Sequence, residues 1–408
     1  MSLIKTRCLA CHSEEKSKGG LALTSRQAAL RGGDDGPAIR PGNAAASRLI
    51  QVIQPGSEPH MPPKDQLTPR AIRDFEDWIN AGAVWDASLL TERDAPPPEQ
   101  LGTLPPGYAP VLAVALTPDG RKLAVGSGQR VVIYDILAET NRHRVTLEGH
   151  RDAVQSLAWS TNGQRLASGG YRHVMLWDAQ SNATQQWPTP AGRVTALAFA
   201  PDGGTLFAGE SASGGAGWIR AWRVQDAARV AEWSAHGDSI YSLAVSRDGQ
   251  RLASAGGDRL AKIWQWPSRR LEGLLEGHGG AVYGVVLSRD GLKAATAGAD
   301  KLVMLWDVST RLKLTQITNT GGVTALGWSA DDTLLATASE DGVARTFTNF
   351  TSHSGEQSSG TATERRLGGA GALLTVSVSA DGKRVASGAH DGTVWLWNEG
   401  KLISKWKP

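Results

Sequence analysis

The 408-residue chain has two cysteines, and both fall within Cys8-Leu9-Ala10-Cys11-His12. Two thiols three positions apart, followed at once by an imidazole, are spaced to bond the two vinyl groups of a haem and to bring a nitrogen to its iron. Two other chemistries use part of this set. A structural zinc site needs about four ligands, and the region adds only His60 to these three. A thioredoxin-like redox pair needs a strand before the motif and a long amphipathic helix after it. Instead the chain runs into Ser13-Glu14-Glu15-Lys16-Ser17-Lys18-Gly19-Gly20, a turn composition. Covalent haem attachment is the favoured reading.

A second iron ligand is expected downstream. Met61, in His60-Met61-Pro62-Pro63, offers a thioether on a backbone stiffened by two prolines. The alternative is a methionine in a small core. His60 is the reserve ligand, and a bis-His iron would have a lower potential than a His/Met one. The elements that must position these groups are helical. Ile4 leads into the first cysteine, and Leu49, Ile50 and Ile53 form an apolar stripe. Thr68 and Pro69 read as N-cap and first residue of a helix that places Ile72, Phe75, Trp78 and Ile79 on one face and stops at Gly82.

Residues 8 to 85 carry Cys8-Leu9-Ala10-Cys11-His12-Ser13, Lys18-Gly19-Gly20-Leu21, Gly36-Pro37-Ala38-Ile39, Met61-Pro62-Pro63 and Trp78-Ile79-Asn80-Ala81-Gly82-Ala83-Val84-Trp85. In these motifs the segment resembles the cytochrome c domain of planctomycete-type multidomain proteins. The resemblance implies one haem c, with Cys8 and Cys11 as thioether anchors, His12 as proximal and Met61 as distal ligand. It also implies that the carbonyl of Pro37 accepts the N–H of the proximal imidazole and fixes its tautomer. Seven residues before Cys8 are short for the usual first helix, so an upstream segment is expected. No signal peptide and no run of about 20 apolar residues is visible. Because haem c is attached outside the cytoplasm, the expected location is a bacterial periplasm or cell envelope.

From residue 87 to 107 the composition turns proline-rich, with Pro96-Pro97-Pro98 and Pro105-Pro106, and reads as a semi-rigid spacer. The expected division is a small all-α domain over 1–86, this linker, and a second domain over 108–408. The last part repeats. Turn tetrapeptides start at Thr117, Ser160, Ala200, Ser246, Ser288, Ser329 and Ser379, seven copies 40 to 50 residues apart. Each lies between two short apolar strands, and a third strand follows that ends near Tyr134, Trp177, Trp222, Trp264, Trp306, Phe347 or Trp397. Four short strands per period of this length predict a seven-bladed all-β propeller. Lys401-Leu402-Ile403-Ser404-Lys405-Trp406 supplies the last blade's fourth strand.

Gly149-His150, Ala235-His236 and Gly277-His278, with Trp177-Asp178 and Trp306-Asp307, resemble WD-repeat propellers. The resemblance implies a structural hydrogen-bond set inside a blade, at His236, Ser254, Asp258 and Trp264 and again at His278, Thr296, Asp300 and Trp306. The first two repeats are one residue shorter before the closing aromatic and have no Asp there. The third stretches that turn over residues 211–217, and the sixth ends in Phe347 before a polar stretch over 349–366; both are expected to be mobile insertions.

The innermost strands, such as Ser239-Ile240-Tyr241-Ser242-Leu243-Ala244, carry no carboxylate, histidine or cation, which argues against a catalytic channel. The net charge of +3 is spread over both parts, so no nucleic-acid partner is expected. The expected function is one-electron transfer by a monohaem cytochrome, with redox protein partners docking on the propeller and near the haem edge. Two alternatives remain open at this point: an oxidoreductase whose propeller binds substrate or a second cofactor, and a haem-based sensor.

Overall fold

The computed structural model describes residues 2–9, 11–13, 16–63, 66–83, 85, 109–137, 144–181, 183–212, 215–348, 363–369 and 371–408. The expected linker, 87–107, lies outside them. The chain divides into two compact units, Met1–Leu104 and Pro105–Pro408.

Among the described residues the first unit has four α-helices: α1 (Ser2–Arg7), α2 (Arg26–Arg31), α3 (Arg48–Ile53) and α4 (Pro69–Asn80). The end signals read from the sequence operate at α4, where the Thr68 hydroxyl accepts the Ala71 N–H at 3.2 Å beside Pro69. Beyond its C-terminus Gly82 takes a φ of 96°, a left-handed conformation that suits glycine. Arg26 then donates to the carbonyls of Ala83 (3.1 Å) and Gly82 (3.2 Å), tying α2 to this end. Ile72, Phe75 and Ile79 from α4 meet Leu49, Ile50 and Ile53 from α3 and Ile4 from α1 in one core. Trp78 sits at the edge of that core, half-buried, with its ring 5.6 Å from that of Trp85. Helix α2 has no expectation behind it, since only Ala28, Ala29 and the Ser25 cap mark it.

The second unit is all-β: five four-stranded sheets and one of seven strands, with antiparallel neighbours. The seven-stranded sheet arises because Thr184–Phe199 runs without a break. One half of it pairs with Tyr171–Asp178, the other with Thr205–Ala212. The first strand of each repeat packs beside that of the next, from Val111–Leu116 through Ser156–Trp159, Thr184–Phe199, Ile240–Val245, Val282–Leu287 and Val323–Trp328 to Leu373–Val378, which lies again beside Val111–Leu116. Hydroxyls bridge these strands. Leu116 N–H donates to Ser377 Oγ at 3.0 Å, Val285 N–H to Ser242 Oγ at 3.1 Å, and Ser156 Oγ to the Val194 carbonyl at 2.9 Å. As expected, Lys401–Trp406 pairs with Val394–Asn398 to complete the last sheet.

The turn tetrapeptides explain the regular spacing. In each of five turns the Ser or Thr hydroxyl donates to the Asp two positions on, at 2.5 to 2.6 Å, as between Ser288 and Asp290. The fourth position needs a positive φ. Glycine supplies it in six copies, and Asp332 adopts 61° in the other. The expected insertion over 211–217 is largely an extension of two strands, with Ser211 paired to Gly217; residues 213–214 lie outside the described set. In the stretch 349–366 the strand Thr363–Gly368 covers the end, and 349–362 lie outside the described residues.

Candidate functional site

The pentapeptide continues directly from α1. Cys8 N–H still bonds the Ile4 carbonyl at 2.9 Å, and the Cys8 carbonyl then accepts from Cys11 N–H (3.1 Å) and His12 N–H (3.0 Å). One turn of chain therefore carries both thiols and the imidazole. The segment after it folds back: Leu23 N–H donates to the His12 carbonyl at 2.7 Å, and His12 bridges to Ser17. This fold-back brings the Leu21 carbonyl to 3.3 Å from His12 Nδ1. A carbonyl only accepts, so Nδ1 carries the proton and Nε2 keeps its lone pair. Here the structure departs from the expectation at Pro37, which is exposed on the 32–39 loop while Leu21 holds the imidazole.

Cys8, Cys11, His12, Leu23, Val52 and Met61 line a single cavity of about 320 Å³ whose wall is mostly apolar. Arg7, Lys18 and Arg48 also border it. Met61 reaches it because its N–H donates to the Val52 carbonyl at 2.7 Å, tying the chain after α3 back onto that helix. Gly33 keeps the opposite loop close, since a Cβ there would stand 2.2 Å from the Gly19 carbonyl. His60 is not part of the lining, and its Nε2 lies 2.8 Å from Gln66 Oε1. Both thiols are free, and burial pushes that of Cys8 up to about 11. Among the described residues no three His, Cys, Asp or Glu side chains converge as a metal-binding group. The residues present fit a covalently held haem: two thiols, one imidazole with a usable lone pair and one thioether share an apolar chamber.

In the second unit the expected polar sets form in two successive sheets. His236 Nδ1 lies 2.8 Å from Asp258, its Nε2 2.8 Å from Ser254 Oγ, and Trp264 Nε1 donates to the same hydroxyl at 2.9 Å. His278, Asp300, Thr296 and Trp306 repeat this at 2.9, 2.8 and 2.7 Å. Burial opposes ionisation of Asp258, but the hydrogen bond and charge of His236, with Gly237 N–H and Lys262, hold it down to about 2. The shortened second repeat keeps His150, Ser168 and Trp177 at 2.6 and 2.8 Å. In place of the missing Asp, His173 stacks on His150 with ring centroids 4.8 Å apart. Burial first, then His173, lowers the His150 pKa to about 4.

The sequence reading missed a second polar device, two residues before the closing aromatic. There Arg220 pairs with Glu210 and with Glu232 at 3.2 Å, Lys262 with Asp258 at 3.5 Å, and Arg345 with Asp341 at 2.5 Å. A cation inside an apolar strand was the available signal.

The WD domain, G-beta repeat family matches six segments, 98–135, 141–178, 228–265, 269–307, 311–347 and 363–398, together more than half the chain. The chain belongs to the WD-repeat family. This WD-repeat protein also matches the planctomycete cytochrome C family over residues 8–65. The repeat over 184–223 has no such match, in keeping with its loss of the His and Asp and its buried Arg220 pairs. Among curated relatives, autophagy-related protein 16 of Arabidopsis thaliana is 27% identical over 40% of this chain and 31% of its own length. Cell division cycle 20.1, cofactor of APC complex, from the same plant is 27% identical over 65% of the chain and 72% of its own. Transducin beta-like protein 3 of Rattus norvegicus is 30% identical over 38% and 19%. The WD-repeat protein thus spans about a third of the first relative and a fifth of the third.

Proposed function

We propose that the first unit holds one haem c, through thioether bonds to Cys8 and Cys11 with His12 Nε2 and Met61 Sδ as iron ligands, and serves electron transfer in a bacterial periplasm or cell envelope. The observation that carries this is the shared apolar cavity bordered by both thiols, the oriented imidazole and the Met61 thioether. Bound haem would supply reversible one-electron exchange at its iron. The chain's part is to hold it. Leu21 keeps the His12 lone pair directed, Val52 keeps Met61 in place, and the leucine and valine walls exclude water. With His12 and Met61 both engaged, no position is left for a small ligand, which favours an electron carrier over an oxygen-activating enzyme or a gas sensor.

The repeats are read as a seven-bladed propeller that docks redox protein partners. Seven first strands packing in succession, with the last against the first, support the closed ring. Thr184–Phe199 then acts as the outer strand of one blade and the inner strand of the next. First strands without acid, base or cationic side chains, counting only Val194–Phe199 of the long strand that also carries Arg193, speak for a scaffold. The test is the reduced holoprotein, made with haem-attachment machinery and exposed to carbon monoxide. The expected spectrum is unchanged for the parent and shifts rapidly for Met61→Ala; rapid binding by the parent would overturn the His/Met assignment.

A further inference from the structure

The sixth repeat keeps the frame of the polar staple and has lost both of its nitrogen-bearing rings. In the fourth and fifth repeats the histidine stands 18 residues before the hydroxyl residue and 22 before the aspartate, and the tryptophan follows the hydroxyl residue by 10. The same intervals in the sheet that begins with Val323–Trp328 fall on Asn319, Thr337, Asp341 and Phe347. Asn319 is fixed at its backbone, where its N–H donates to the Lys301 carbonyl at 2.8 Å. Asp341 is engaged elsewhere. Arg345 donates to its two oxygens at 2.5 and 3.1 Å, and the Thr320 hydroxyl donates to one of them. Phe347 has no N–H to offer.

Three polar atoms are then buried without a partner among the described residues. They are both amide atoms of Asn319, which is 6% exposed, and the hydroxyl of Thr337, which is fully buried. The corresponding hydroxyl in the fifth repeat, Thr296, serves His278 and Trp306 together. The seventh repeat also lacks the histidine, with Gly369 at that position, and its polar groups turn to backbone carbonyls instead. Ser387 Oγ donates to Thr375 at 2.8 Å, and Trp397 Nε1 donates to Leu367 at 2.9 Å. No such carbonyl serves Asn319 or Thr337. Native interiors rarely keep a buried amide or hydroxyl unbonded. An amide is smaller than an imidazole and a phenyl smaller than an indole, so the two exchanges free space of the order of one or two waters, each about 30 Å³. Space lined only by carbon stays dry, whereas this space has donors and acceptors on its wall.

We propose that the sixth repeat contains a buried hydration site, in which one or two ordered waters bridge the Asn319 amide and the Thr337 hydroxyl. The water accepts from Asn319 Nδ2 and donates to Asn319 Oδ1 or Thr337 Oγ1, taking over the bonds that an imidazole and an indole make in the two preceding repeats. The site depends on neither the haem nor the docking reading.

Long-lived internal waters are counted by oxygen-17 relaxation dispersion on the full chain, parent against variant, so that waters elsewhere cancel. Asn319→Leu/Thr337→Val removes every hydrogen-bonding side-chain atom of the site, and its dispersion amplitude should fall by about one to two waters. Asn319→His/Phe347→Trp offers Thr337 an imidazole and an indole N–H and should lose the same number. An amplitude equal to the parent's in either folded variant overturns the proposal. A high-resolution crystal structure of the parent tests it without any substitution. Water density within hydrogen-bond reach of both Asn319 and Thr337 is the expected result, and a direct Asn319–Thr337 bond with no water beside it overturns the proposal.

Discussion

Asp300→Ala isolates what one polar set contributes to its blade. The carboxylate accepts from His278 Nδ1 at 2.9 Å, from Gly279 N–H at 2.9 Å and from Leu302 N–H at 3.2 Å. Gly279 is exposed and water can replace its lost acceptor. The His278 ring is buried, and its other nitrogen is already held by Thr296. A buried donor left without a partner costs about 1 to 3 kcal/mol. Since Asp300 is itself near the surface, a water can partly fill its place, and a loss of about 1 to 2 kcal/mol is expected. Urea unfolding followed by tryptophan fluorescence measures the loss, and amide exchange locates it in the sheet that holds Trp306. The coupling is read from a double-mutant cycle with His278→Gln, whose two losses should fall short of additivity. Unfolding of Asp300→Ala coincident with the parent, or strictly additive losses, would refute the assignment of these residues as a buried staple.

Three other outcomes follow from the same geometry. Thr296→Val strands both His278 Nε2 and Trp306 Nε1 at a fully buried point, so it should cost more than Asp300→Ala in the same urea assay. Arg220→Met leaves Glu210 buried without its cation and should cost about 3 to 5 kcal/mol, most of it recovered in Arg220→Met/Glu210→Leu. His150 takes up its proton near 6.5 in the unfolded chain and only near 4 in the folded one. The unfolded state then binds more protons between these values, so stability is full above 6.5 and falls as pH drops toward 4, by at most about 3 kcal/mol. Stability measured from pH 7 to 4.5 should show this slope, and His150→Asn should flatten it.

Where a residue type answers a local physical need, the sequence was readable. Ser-x-Asp-Gly turns, the Thr68-Pro69 helix start and the His, Asp and Trp of two repeats each carry their reason within a few positions. The resemblance to WD repeats added which side chains face each other across a blade. What escaped depends on pairings between distant segments. Arg220 could be seen as a cation in a strand, but its partner Glu210 is ten positions away and is fixed only by sheet register. The stack of His173 on His150 results from a shortened turn whose geometry no local motif announces. At the proposed haem site Cys8, Cys11, His12 and Met61 were singled out by their types and spacing, and all four line one cavity. The carbonyl facing His12 was not, because a backbone acceptor has no residue signature. The fold-back through Leu23 presents Leu21 in the place expected for Pro37.

The most direct test of the account is the mass of the peptide containing Cys8 to His12, from protein exported together with haem-attachment machinery. One haem joined through two thioether bonds is the predicted species, with a single bond in Cys8→Ala or Cys11→Ala and none in the double variant. A parent peptide with two free thiols, or with a disulfide and no haem, would contradict it.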